Sequence, residues 1–164
     1  MIVYHGTTEV IEKPDAAHSK KFLDFGKGFY LTSFEGQAKK WAIRKGLRQQ
    51  KRAVVNVYEL KDNLDAYHVL SFDKENEQWL DFVCACRKGE DINRDYDIII
   101  GSVADDDVFK TVDMYFKGLW DNEKVLNELR YYKMNDQICI VNQKTLDEVL
   151  NFKESYEVNF NGRS

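Results

Sequence analysis

Apolar positions open the chain as a block. Ile2, Val3 and Tyr4 are contiguous and partly β-branched, which predicts a buried strand over residues 2–5 that runs into a His5-Gly6 turn. Residues 8–23 are mostly polar and contain the only proline, Pro14, so this stretch is expected to be a loop with room for one turn of helix. Asp24-Phe25-Gly26-Lys27-Gly28 is a glycine-broken loop feeding a second short strand, Phe29-Tyr30-Leu31-Thr32. Ser33 is placed to cap a helix in which Ala38, Trp41, Ala42 and Leu47 recur at near-helical spacing to about residue 48. The period then changes, and Ala53-Val54-Val55-Asn56-Val57-Tyr58-Glu59-Leu60 reads as a strand.

The second half is less regular. Val69-Leu70-Ser71-Phe72 predicts a short strand, and Asp73 a cap for a helix carrying Trp79, Leu80, Phe82 and Val83, aromatics that read as core. Tyr96-Asp97-Ile98-Ile99-Ile100-Gly101 predicts a buried strand ending at glycine. Asp105, Asp106 and Asp107 then precede a helix with Val108, Val112, Tyr115 and Phe116, and a second helix with Val125, Leu126, Leu129 and Tyr132. Gln137-Ile138-Cys139-Ile140-Val141 is a further strand. Asn142 caps a short helix holding Leu146, Val149 and Leu150, and the tail alternates over residues 155–160 like an edge strand. Short strands that do not alternate regularly with helices indicate an α+β fold rather than a doubly wound parallel sheet. No repeat, linker or low-complexity stretch interrupts the chain, so residues 1–164 are expected to form one domain.

Composition narrows the class. Of 164 residues, 43% are apolar and 32% charged, a globular balance in a chain long enough to close a core. A net charge of −4 argues mildly against non-specific nucleic-acid binding. No apolar run approaches a membrane span and no signal-peptide pattern opens the chain. Three cysteines, an odd number without framework spacing, fit a reducing cytoplasm. Cys84 and Cys86, two apart on a predicted helix, point to different faces, so no metal site is expected there. There is no Rossmann or Walker glycine fingerprint.

Candidate chemistry lies where the first two strands end. An imidazole at a strand end and a phenol ring delivered on the next strand suit a flat, polar, ring-bearing ligand, because one offers hydrogen bonds and the other a stacking face. Gly6, Gly26 and Gly28 let backbone come close there. Lys20-Lys21 reads as a solvated loop, with steering of an anionic ligand as the alternative. The basic helix end around Arg44, Lys45, Arg48, Lys51 and Arg52 is either a solvated face favourable to the helix dipole or a contact for phosphates. The three carboxylates at 105–107 cap the next helix, hydrogen-bond ribose hydroxyls, or hold a divalent cation, for which further ligands are not evident. His18 and His68 have no motif around them.

Val3-Tyr4-His5-Gly6-Thr7, then Asp24-Phe25-Gly26-Lys27-Gly28-Phe29-Tyr30-Leu31-Thr32 with Gln37-Ala38 and Trp41-Ala42, resemble the ADP-ribosyltransferase superfamily of the histidine–tyrosine–glutamate type. Tyr96 to Gly101, Val103-Ala104-Asp105-Asp106 and Asp136-Gln137-Ile138 extend the likeness over a motif-bearing core of about 2–152, with a tail over 153–164, and it is closer still to a bacterial domain-of-unknown-function family of that fold. The resemblance implies split antiparallel β-sheets with flanking helices, and NAD as co-substrate without a metal. It implies transfer of ADP-ribose to a protein or nucleic-acid acceptor, as in a toxin-like effector with an immunity or antitoxin partner. By that likeness the catalytic set is His5, which binds a ribose hydroxyl, Tyr30, which stacks on nicotinamide, and Gln137 at the position of the acidic residue. Gly6 would anchor the carboxamide, and Thr7, Gly28 and Thr32 would line the pocket with His5 and Tyr30. Gln137 departs from the glutamate form: an amide hydrogen-bonds a ribose hydroxyl but carries no charge to balance a cationic transition state. Asp136 would face away from it on a strand, leaving Asp105 or Asp106 to supply charge if the fold brings them close. Two other activities follow from the same likeness. One is a non-catalytic module that binds NAD, an ADP-ribose-like ligand or a protein. The other is an RNA 2′-phosphotransferase, whose additional arginine and histidine positions find no match here.

Overall fold

The computed structural model describes residues 1–17, 19, 23–73, 76–103, 106–129 and 136–160. Among these residues, seven strands make two sheets. The first has the order β1 (Ile2–Thr7), β3 (Ala53–Leu60), β7 (Leu150–Val158), all antiparallel. The second has the order β2 (Phe29–Leu31), β6 (Asp136–Ile140), β5 (Ile98–Ser102), β4 (Val69–Ser71). Its pairs are antiparallel except β4 with β5, which is parallel and corrects the expectation of purely antiparallel sheets. The helices are α1 (Glu35–Gln49), α2 (Glu77–Arg87), α3 (Asp106–Phe116), α4 (Asn122–Leu129) and α5 (Gln143–Val149), with a 3₁₀ turn at Ile92–Asp95. The α+β class read from the sequence is the class observed.

Strand alternation sorts the apolar residues into layers. Ala53, Val55 and Val57 of β3 turn toward Ala38 and Ala42 of α1. On the opposite face, Tyr58 and Leu60 join Val3, Phe29, Leu31, Ile98, Ile138 and Ile140 in the core between the sheets. Ile99 and Cys139 face outward from the second sheet onto Phe25, Trp79, Leu80, Val83, Val112 and Val125. The order is therefore α1, first sheet, second sheet, then α2 to α4. Gly6 sets the spacing of α1: a Cβ there would lie 2.0 Å from the Ala38 carbonyl oxygen.

Several boundaries differ from expectation. Asn76, not Asp73, caps α2, accepting from the Trp79 N–H. Phe34 occupies the N-cap of α1 without a side-chain bond, because the Ser33 N–H and hydroxyl both donate to Asp136. Asn142 caps α5 as expected, accepting from the Thr145 N–H. Leu150 begins β7 instead of ending the helix, and β7 is the edge strand expected in the tail, begun earlier. His18, Lys20, Lys21, Ala104, Asp105 and Tyr132 lie outside the described residues, as do the side chains of Asp106, Asp107 and Val108.

Candidate active site where the two sheets meet

Among the described residues, one isolated bridge joins the backbones of the two sheets. The Tyr4 and Thr32 backbones exchange hydrogen bonds of 2.8 and 3.0 Å, laying the end of β1 beside β2. His5 therefore reaches β2 directly. Its Nδ1 lies 2.6 Å from the Tyr30 carbonyl oxygen and its ring stacks on Phe29 at 4.3 Å between centroids. A carbonyl only accepts, so Nδ1 carries the proton. Burial brings the imidazole pKa down to about 4, with the nearby Lys45 charge acting in the same sense and the Tyr30 bond opposing. The ring is thus neutral, and its Nε2 is a bare acceptor to which no described residue donates.

Tyr30 of β2 and Gln137 of β6 lie on the other face of the second sheet. Successive strand residues point opposite ways, so Tyr30 leaves β2 opposite to Phe29 and meets its cross-strand partner Cys139. The Tyr30 hydroxyl donates to the Gly26 carbonyl at 2.5 Å and accepts from the Phe25 N–H at 3.0 Å. Burial pushes both its pKa and that of Cys139 upward. Gln137, two residues before Cys139, shares this face and is only 5% exposed. Its Nε2 donates to Asp24 Oδ2 at 3.3 Å, while Asp24 Oδ1 accepts from Arg87 Nε and Nη2 at 3.0 and 2.6 Å. The expected convergence of three groups on one groove is corrected: Tyr30 and Gln137 share a face, and His5 touches β2 from the opposite one.

The smaller candidates separate in the same way. Thr7 is buried and accepts from Lys45 Nζ at 3.3 Å, so α1 delivers a positive charge to the His5 end of β1. Thr32 Oγ1 donates to Asp136 Oδ1 at 2.8 Å, and Gln37 Nε2 donates to the Asp136 carbonyl at 3.0 Å. Asp136 does face away from Gln137, and it is engaged by Thr32 and Ser33. Gly28 is demanded by packing, since a Cβ there would sit 2.5 Å from Cys139 Sγ. Gly26 has φ +76°, a conformation glycine adopts without strain.

Asp24 and Arg87 were not singled out from sequence as site residues, although Asp24 opens the glycine loop, whereas Lys45 belongs to the basic helix end read as a solvated face or a contact for phosphates. Arg87 carried no signal, because only the docking of α2 brings it to the loop. A cleft of about 600 Å³ opens beyond the loop, lined by Ser19, Gly26, Lys27, Asn93, Arg94 and Gln143 among others, and His5, Tyr30 and Gln137 do not line it. Among the described residues, no group of three His, Cys, Asp or Glu side chains is arranged to hold a metal, and no helix is long and apolar enough to cross a membrane.

Neither the curated proteins nor the solved structures contain a match to this chain. A family model does match, over residues 1–152, and its description is "Protein of unknown function (DUF3990)". With β1 through the start of β7 inside that match, the chain belongs to the DUF3990 family.

Proposed function

We propose that this chain is an NAD-dependent mono-ADP-ribosyltransferase that transfers ADP-ribose to a protein or nucleic-acid acceptor, in the manner of a toxin-like effector. The observation that carries this reading is the locked imidazole of His5. A neutral ring whose Nδ1–H is spent on the Tyr30 carbonyl presents Nε2 as an acceptor, and a ribose hydroxyl is the donor it fits. Lys45, beside Thr7, adds positive charge where a dinucleotide carries its diphosphate.

The reaction breaks the bond between nicotinamide and its ribose, with the electron pair leaving on the ring nitrogen. The leaving group is cationic in NAD and departs neutral, so no general acid is needed. The sugar passes through an oxocarbenium-like state, which the protein stabilises by orientation and nearby negative charge. Gln137 is assigned to the nicotinamide-ribose hydroxyl, Tyr30 to the departing ring and Gly6 to the carboxamide. His5 approaches β2 from one face and Tyr30 and Gln137 from the other, so the assignment of these three to one cosubstrate rests on the resemblance and not on a shared groove.

One observation favours a second reading, a non-catalytic module that holds NAD or an ADP-ribose-like ligand. The Tyr30 hydroxyl and the Gln137 amide nitrogen are both already engaged by protein groups. Calorimetry with NAD, beside an assay for nicotinamide release in cell lysate, separates the two. Binding with release supports the transferase, binding without release supports the module, and no binding excludes both.

A further inference from the structure

A glutamine at the third catalytic position lacks the charge the transition state calls for, and the structure places a carboxylate directly behind it. Gln137 sits on β6 opposite Gly101 of β5, one residue before Ile138, which pairs with Leu31 of β2. Its Nε2 lies 3.3 Å from Asp24 Oδ2. A carboxylate oxygen paired to a guanidinium accepts and does not donate, so the amide nitrogen belongs on the Asp24 side and Oε1 on the other. No described residue donates to Oε1.

Asp24 is held firmly enough to do this. Arg87 takes Oδ1 with two donors, at 3.0 and 2.6 Å, leaving Oδ2 to Gln137. The two side chains of this ion pair are only 10% and 14% exposed, so solvent weakens their mutual attraction little and Asp24 stays in place. Hydrogen bonds in series polarise one another, and a carboxylate accepting from the amide N–H makes the amide oxygen a stronger acceptor.

We infer that Asp24 is the positioning residue of the site: it fixes Gln137 with its carbonyl oxygen presented to the nicotinamide-ribose hydroxyl and, by accepting from the amide N–H, makes that oxygen a stronger acceptor. This rests on the NAD-binding reading above. Asp24 and Gln137 together supply the acceptor that a single glutamate would supply, without its net charge. As positive charge grows on the sugar its hydroxyl becomes a better donor, and the Asp24–Gln137 pair responds without moving a proton. The ligand feature recognised is a hydroxyl on the ribose that bears the leaving base.

The test compares NAD with an analogue lacking the nicotinamide-ribose 2′-hydroxyl, titrated by calorimetry into four proteins. These are wild type, Asp24→Asn, Gln137→Glu, and the double variant Asp24→Asn/Gln137→Glu, each first checked for a cooperative melt. Wild type should prefer NAD by about tenfold, the scale of a hydrogen bond to a charge-assisted group. Asp24→Asn should bring the two ligands to near-equal affinity. The double variant, with its carboxylate moved to position 137, should recover the preference. A purely structural Arg87–Asp24 tie would weaken both ligands alike and leave their ratio unchanged, and that result overturns the inference. Should wild type bind neither ligand, the NAD reading itself is lost and the inference falls with it. Should wild type bind both equally, only the inference falls.

Discussion

His5 shows how one residue's surroundings settle its chemistry. Its folded pKa of about 4 lies below the ordinary 6.5. Between those values the unfolded chain binds more protons than the folded one, so stability rises with pH there. The contribution is complete above pH 6.5 and is lost as pH falls toward 4, amounting to at most about 3 kcal/mol. Urea unfolding of wild type and His5→Gln at pH 7.5 and pH 4.5 should show the wild type losing more stability on acidification, and equal losses would contradict a buried neutral imidazole. Tyr30→Phe separates ring from hydroxyl. It strands the Phe25 N–H and the Gly26 carbonyl, at a cost of about 2 kcal/mol, while NAD affinity should stay within about twofold if only the ring meets the ligand. A large loss of affinity with an unchanged melt would assign the hydroxyl to the ligand instead. His5 and Tyr30 could be picked out from sequence because a histidine before a glycine and a tyrosine after a glycine loop are local signals. Asp24 was visible only as part of a motif, since its meaning depends on Arg87 and Gln137, which reach it from distant elements.

At the level of elements, glycine packing ties the site to the fold. Gly6 of β1 lies under α1, so Gly6→Ala drives a Cβ into the Ala38 carbonyl and the Ala42 N–H. Neither backbone group can swing aside, and the expected cost is about 3 kcal/mol, read as a lower urea midpoint. An unchanged midpoint would mean that Gly6 serves a ligand and not the packing of α1. The main strands and helices were legible because their apolar periods are unambiguous, as in Ala53–Leu60. Their ends were not. Leu150 satisfies the helical spacing of Leu146 and Val149 as well as the alternation of the tail, and pairing with Leu60 of β3 decides for the strand. Ser33 and Asp73 have capping chemistry, but Asp136 recruits the first, and Asn76 already caps α2. The parallel pairing of β4 with β5 follows from where the chain crosses, and nothing local to Val69–Ser71 records it.

At the level of the molecule, four layers bring β1 and β2 together at the Tyr4–Thr32 bridge, so two segments far apart from α2 and β6 in sequence share one small region with them. The α+β class was readable from the irregular order of short strands. The faces on which His5, Tyr30 and Gln137 emerge were not, because a one-residue change of register exchanges the two faces of a strand. The measurement that bears most directly on the central claim is release of nicotinamide from labelled NAD by the purified protein in cell lysate, with His5→Ala run in parallel. The account predicts release by wild type, transfer of label to a macromolecule, and a loss of about 100-fold or more in His5→Ala. Equal release by the two proteins, or none by wild type, would contradict it.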